Sequence, residues 1–243
     1  MSPYIYGVQP VRELLRHRPE QVEQIIISRD QAHSEEIIQL ASQAGIKIKF
    51  LPRHELEHLT GSQDHQGIAA SAPLPEIFAL EDLLERTADR SDSLLIFLDQ
   101  IEDPQNLGAI IRSAECSGAD GVIIPERRSA KITPAMIKAG AGALEWIPLA
   151  VVTNLARAVE KVKEAGYWVY AARAEAEKTL WQIEFSPKAG LIIGSEGKGI
   201  RPLVAKSADF EISIPLAGKI ESLNASASAA IIIYEYRRQR TRK

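Results

Sequence analysis

The chain of 243 residues carries 29 Lys and Arg against 32 Asp and Glu, a net charge of −3 and a pI near 6.0, which excludes a uniformly basic nucleic-acid binder. With 45% hydrophobic and 25% charged residues and no low-complexity tract, it has the composition of a globular protein long enough for one large or two modest cores. No apolar run reaches the roughly 20 residues that cross a bilayer, Met1 to Gly7 lack a basic-then-apolar targeting pattern, and Cys116 is the only cysteine; a cytoplasmic protein with no membrane partner, intramolecular disulfide or thiolate metal cluster is expected.

In chain order, Val11, Leu14 and Leu15 form a helical stripe, Gln24 to Ser28 a strand, Ser34 to Ala44 a helix closed by Gly45, and Ile46 to Phe50 a second strand. A short helix starts near Pro52, and a strand runs from Gln66 to Ser71. Pro73 and Pro75 then break the pattern, since neither can donate to a strand ladder. The expected organisation is a small N-terminal α/β domain over 1–72, a linker and connecting helix over 73–92, and a second domain over 93–243.

In the second domain the apolar runs Leu94 to Leu98, Gly121 to Ile124, Tyr167 to Tyr170 and Leu191 to Ile193 have the character of strands buried on both faces. Helical segments alternate with them, as at Asn106 to Ser117 and Asn154 to Ala165, so the fold class is α/β with a mostly parallel sheet covered by helices. Phe210, Ile212 and Ile214 mark a further strand, and an Ala-rich run continuing through Ile231, Ile232 and Ile233 marks a last helix. Ligands in such folds gather beyond the carboxyl ends of the strands. The informative loops are therefore those after Leu98, Ile193 and Ile214.

The first loop turns at Asp103-Pro104, and Asn106 can cap the helix that follows. Gly108 and Arg112 share a face of that helix, with no side chain at Gly108 to block a large partner. An arginine fork suits phosphate, but taken alone Arg112 reads as an ordinary surface ion pair with a nearby acid. The second loop, Gly194-Ser195-Glu196-Gly197-Lys198-Gly199, permits close approach by a ligand. It matches neither the dinucleotide fingerprint nor the triphosphate loop, and a plain tight turn remains open. The third places Lys219, Glu221, Ser222 and Asn224 before the last helix, where Ser222 or Asn224 can serve simply as its cap.

All five histidines, His17, His33, His54, His58 and His65, lie in the first domain, so the second lacks the usual side-chain base near neutral pH. His54 and His58 have metal-ligand spacing without an accompanying acidic motif, and no metal is expected. The residues from Arg237 to Lys243 carry five cations and no acid. Phosphate contact and a solvated helix end are both open readings of that tail.

Taken together and in this order, Asn106-x-Gly-x-x-x-Arg112, Gly194-Ser195-Glu196-Gly197, and Ile214-Pro215 through Ser222-Leu223-Asn224-x-Ser226 resemble the three motifs of the SpoU (TrmH-like, SPOUT superfamily) RNA ribose 2′-O-methyltransferases. The likeness covers roughly residues 93 to 236. The first domain, from Tyr6-Gly7 through His65-Gln66-Gly67-Ile68-Ala69, is similar to the L30e-like RNA-binding domain of the branch that methylates a guanosine in 23S ribosomal RNA.

The resemblance implies a SPOUT domain with a C-terminal trefoil knot, S-adenosylmethionine as cofactor, RNA and no DNA as partner, and a homodimer. It implies cofactor contacts at Gly194, Ser195, Gly197, Ile214, Leu216, Leu223 and Ala225, and catalytic roles for Asn106, Arg112, Glu196, Ser222 and Asn224. Ala225 and Ser228 replace larger apolar residues common in the third motif, and Gly140 stands where serine is frequent. A guanidinium keeps its proton to a pKa above about 12, so Arg112 is expected to bind phosphate and steer the hydroxyl rather than act as base. A transfer-RNA methyltransferase and a non-catalytic RNA-binding or assembly protein on the same fold are the alternatives.

Overall fold

The computed structural model describes residues 3–31 and 35–241. His33, the expected helix start at Ser34, and the last two tail cations, Arg242 and Lys243, fall outside the described residues. In chain order the elements are β1 (Tyr4–Tyr6), α1 (Val8–His17), β2 (Gln24–Ser28), α2 (Glu35–Gln43), β3 (Lys47–Leu51), α3 (Arg53–Thr60), β4 (Ile68–Ser71), β5 (Ile77–Phe78), α4 (Leu80–Thr87), β6 (Ser93–Asp99), α5 (Pro104–Cys116) and β7 (Gly121–Pro125). They continue with α6 (Pro134–Ala139), β8 (Leu149–Val152), α7 (Leu155–Glu164), β9 (Trp168–Ala172), β10 (Lys188–Gly194), α8 (Pro202–Ser207), β11 (Phe210–Ile212) and α9 (Ala225–Thr241). Two compact units result, one of residues 1–75 with 131–146, the other of 76–130 with 147–243.

The first unit is built on a four-stranded mixed sheet in the order β1-β4-β2-β3. Ile25, Ile26 and Ile27 of β2 are buried, as a strand flanked on both sides should be. The edge strand β3 exposes Lys47 and Lys49, charges that discourage pairing with another chain. Val11, Leu14 and Leu15 are the buried stripe of α1. Residues 131–146 join this unit through α6 and a buried ion pair: Arg18 donates through Nε (2.6 Å) and Nη2 (2.9 Å) to the two carboxylate oxygens of Glu145. Sequence periodicity missed α6 because six residues are too few to show a helical stripe; Thr133 caps it by accepting from Met136 N.

The second unit holds a seven-stranded, all-parallel sheet in the order β11-β9-β10-β6-β7-β8-β5. All seven residues of the central strand β6 are buried, which explains its unbroken apolar run. On one face Leu95, Phe97, Ile123, Val169 and Ile192 pack with Val159 and Val162 of α7. On the other, α5 and α9 pack together, and α9 lies against β10. The sheet is the expected one, widened by β5 and β8, whose short apolar stretches flank prolines. Chain direction along the sheet reverses about β6, and the crevice beyond the carboxyl ends of β6 and β10 is where an open parallel sheet binds ligands. No described helix is long and apolar enough to cross a membrane.

Candidate active site

Strands β6 and β10 end side by side, with Asp99 in register with Gly194. The Asp99 carboxylate is fully buried and accepts from the backbone N (2.8 Å), Nε (2.8 Å) and Nη2 (2.6 Å) of Arg201. Gln100, in a left-handed conformation (φ 61°), donates from Nε2 to Gly199 O at 3.2 Å. The residues that end β6 thus clamp the far end of the glycine loop. Gly199 N closes the loop onto Ser195 O at 2.8 Å, and its own φ of 61° suits glycine. A side chain at Gly194 would strike the backbone on the opposite side of this turn: a Cβ there would lie 2.5 Å from Gly199 O and 2.6 Å from Ile200 N.

The cap of α5 is Asp103, not Asn106 as expected; its carboxylate accepts from Gln105 N (3.1 Å) and Asn106 N (3.2 Å). Pro104 fits the first helical position because its missing N–H is not needed there, which puts the cap at Asp103, the residue just before it. The Asn106 side chain is left free for other contacts. Gly108 is buried within the unit, so it opens no space for a large partner.

At the third loop Asn224 caps α9, accepting at Oδ1 from Ser226 N (2.9 Å), Ser226 Oγ (2.5 Å) and Ala227 N (3.4 Å). Its Nδ2 donates to Asn106 Oδ1 (2.9 Å) and Glu196 Oε1 (2.5 Å). That same carboxylate oxygen accepts from Ala225 N (2.9 Å) and, at 3.5 Å, from Asn106 Nδ2. One residue from each motif therefore meets in a single polar cluster, with the Glu196 charge at the N-terminus of α9, where the helix dipole favours an anion. Ser222 lines the adjoining cavity but makes no hydrogen bond to the cluster among the described residues. Arg112 is exposed on α5, borders neither cavity and forms no salt bridge among the described residues.

A cavity of about 300 Å³ opens beyond β10 and β11. Gly194, Ser195, Gly197, Ile214, Leu216, Leu223 and Ala225, the seven expected cofactor contacts, all line it, together with Glu196 and Ser222. Sequence reading missed its far wall, Ala172 to Glu175, although this segment follows the carboxyl end of β9, where the parallel-sheet rule directs attention. A second cavity of about 270 Å³ is lined by Gln100, Asp103 and Asn106 and shares Ser195, Glu196 and Gly197 with the first. Glu196 thus stands on the wall between them. The first cavity suits a nucleoside-bearing ligand: Ile193, Ile214, Leu223 and Ile232 offer apolar surface, and the buried Ser195 Oγ has no protein partner.

Two other sequence features resolve differently. Desolvation and Glu115 push the Cys116 thiol above its ordinary pKa, which suits neither nucleophile nor ligand. The described tail cations are bound by the chain itself. Arg237 donates to Ser117 O (2.5 Å) and Gly118 O (3.0 Å), Arg238 pairs with Glu235 (2.6 Å), and Arg240 donates to Phe185 O (2.7 Å). Arg237 thereby closes the carboxyl end of α5, so the tail up to Thr241 is neither a free arm nor a frayed end.

The model of the SpoU rRNA methylase family matches residues 93–234. The chain belongs to that family. The model named RNA 2′-O ribose methyltransferase substrate binding matches residues 4–78. The 23S rRNA (guanosine-2′-O-)-methyltransferase RlmB of Pseudomonas putida is 39% identical over 97% of this chain and 96% of its own length. A TrmH family tRNA/rRNA methyltransferase of Bacillus subtilis is 41% identical over 85% of this chain and 83% of its own. In fold, the chain is similar to the SpoU methyltransferase AviRb of Streptomyces viridochromogenes, solved with its cofactor AdoMet, with a TM-score of 0.81 at 24% identity, covering 98% of this chain and 90% of that one. The SpoU family member described here is an RNA 2′-O-ribose methyltransferase, and the family's methyl donor is S-adenosylmethionine.

Proposed function

We propose that this SpoU methyltransferase methylates the ribose 2′-hydroxyl of a guanosine in 23S ribosomal RNA, with residues 1–72 gripping the RNA and residues 93–243 carrying the transfer. The observation that carries the catalytic assignment is that Asn106, from the second cavity, and Asn224 both hydrogen-bond to Glu196, which lines both cavities. Similarity to RlmB over nearly the whole of both chains supports the substrate, and so does the substrate-binding match at residues 4–78.

In this reading the larger cavity takes S-adenosylmethionine, with Gly194, Ile214 and Leu223 around it and Ser195, Gly197, Leu216 and Ala225 completing the wall. Bound there, the cofactor supplies an electrophilic methyl group. The second cavity takes the target ribose beside Asn106. Glu196 keeps the Asn106 and Asn224 amides turned toward one point, and Ser222 and Asn224 face the hydroxyl from the cofactor side. Alignment of two bound partners lowers a barrier by about 7–11 kcal/mol, so rigid placement supplies most of the acceleration. Arg112, outside both cavities and in no salt bridge among the described residues, binds RNA phosphate and steers the hydroxyl only through the strand it holds.

A C-terminal trefoil knot and a homodimer complete the proposal, in a cytoplasmic enzyme. Exposed Leu216, Ile220 and Tyr234, in the third loop and on α9, supply apolar surface for a second copy. The test is to map 2′-O-methylation across total RNA with and without the protein, and to repeat the reaction on a 23S transcript. Loss of one 23S guanosine mark supports the assignment. A missing mark in transfer RNA, or none anywhere, overturns it.

A further inference from the structure

The loop that follows β7 reads Glu126-Arg127-Arg128-Ser129-Ala130 and has no part in the site described above. Because β7 pairs in parallel with β6, its carboxyl end opens on the same edge of the sheet as Asp99 and the loop that leads to Asn106. Backbone bonds hold both ends of this loop: Glu126 N donates to Val152 O (2.9 Å) and Ala130 N to Ile101 O (2.8 Å). Ile101 lines the second cavity together with Asn106. The loop is therefore stitched directly to the wall of the cavity assigned to the ribose.

Arg127 and Arg128 are both exposed, and neither forms a salt bridge or a hydrogen bond among the described residues. This sets them apart from Arg201, Arg173 and Arg238 in the same unit, each of which pairs with a carboxylate. Arg128 has a φ of 63°, a left-handed conformation that non-glycine residues seldom adopt and that costs free energy. The chain thus keeps an arginine where glycine or asparagine is locally easier. In a protein of net charge −3, two adjacent guanidinium groups free of internal acids form a local site for an anion, and their planar forks fit phosphate.

We propose that Arg127 and Arg128 clamp a phosphodiester of the RNA strand next to the target nucleotide, as positioning residues that hold the ribose in the second cavity. The inference rests on the RNA methyltransferase reading for its substrate. Its binding test, however, is independent of turnover.

The affinity for an in-vitro-transcribed 23S rRNA is measured across a series of potassium chloride concentrations. The proteins compared are wild type, Arg127→Gln/Arg128→Gly and Arg127→Lys/Arg128→Lys. Glycine at 128 preserves the left-handed turn, so loss of fold does not confound the result. Each phosphate contact contributes about 0.7–0.9 to the slope of log affinity against log salt, so the Gln/Gly double variant, which gives up the one clamped phosphate, should lower that slope by about 0.7–0.9. The Lys/Lys variant should restore the slope but not the single-turnover methylation rate at saturating RNA, because an ammonium keeps the charge and loses the fork. S-adenosylmethionine affinity should be unchanged in all three proteins. A wild-type slope in the Gln/Gly variant overturns the clamp, and a wild-type rate in the Lys/Lys variant overturns its positioning role. Wild-type protein that binds RNA with the expected slope yet methylates no RNA leaves the clamp standing and sinks the proposed activity instead.

Discussion

Gly194→Ala tests the claim that the glycine loop shapes the cofactor cavity through backbone crowding. The added methyl would lie 2.5 Å from Gly199 O and 2.6 Å from Ile200 N, inside the 3.0 Å limit that real Cβ atoms respect. Both obstacles are backbone, so no side chain can swing away. Gly199 is held by its N–H to Ser195 and by its carbonyl to Gln100, and Ile200 is followed by Arg201, which is anchored on buried Asp99. Overpacking of this kind costs about 1–3 kcal/mol. If the loop absorbs that cost by moving out of its ligand-ready shape, S-adenosylmethionine binding weakens by about 5- to 150-fold. Gly197→Ala is the internal control, since a Cβ there meets nothing within 4 Å and should leave the melting temperature unchanged. Calorimetric titration of the cofactor, with thermal melting in parallel, makes the measurement. Wild-type cofactor affinity and melting in Gly194→Ala would show that the loop is compliant and that crowding is not what shapes the cavity.

Glu196→Gln keeps the size of the side chain but removes the charge that gathers Asn224, Ala225 N and Asn106; single-turnover methylation should fall by about 10- to 100-fold with little change in cofactor affinity. A rate within twofold of wild type would mean the carboxylate only fastens the loop. Glu145→Gln strands the Arg18 guanidinium, whose side chain is 9% exposed, and breaking such a pair costs about 3–5 kcal/mol; a lower urea midpoint for the first unit is expected, and an unchanged one would contradict the pair's burial. His65 is fully buried and accepts from Gly67 N at Nδ1, and burial followed by the Arg53 charge lowers its pKa below 6.5. The unfolded chain therefore binds a proton that the folded chain refuses, so the stability this group contributes is present above pH 6.5 and is lost as pH falls toward the folded pKa. Urea midpoints between pH 7.5 and 5 should show a drop in wild type that shrinks in His65→Gln; equal pH dependence in the two would remove His65 as the cause.

The strands of the second unit could be read from the sequence where burial on both faces made their apolar runs continuous, as in β6, β7 and β10. Those that escaped are short pieces at one end of the sheet, the edge strand β5 and its neighbour β8. β5 has two residues and β8 begins just after Pro148, so neither offers a window long enough for periodicity to act. The helix α6 escaped for the same reason, and among the contacts that hold residues 131–146 in the first unit is the Arg18–Glu145 pair, whose partners are 127 residues apart. No local pattern encodes such a partnership.

The site divides along the same physical line. Residue types and their order marked all three loops, because glycines, a helix start and short polar runs after apolar strands are local signals. Which side chain does what inside each loop was set by competition that no single loop reveals. Asp103 and Asn106 both can cap α5; Pro104 decides for Asp103, and only then is the Asn106 amide free to reach Asn224 and Glu196. At α9 the contest between cap and cluster residue has no loser. Asn224 caps the helix with its oxygen and spends its nitrogen on Glu196 and Asn106, so one side chain fixes both the helix start and the cluster proposed to face the ribose. A side chain that does both cannot be substituted without moving both, and Asn224 is therefore the residue of the three whose loss couples stability of α9 to the methyl-transfer rate.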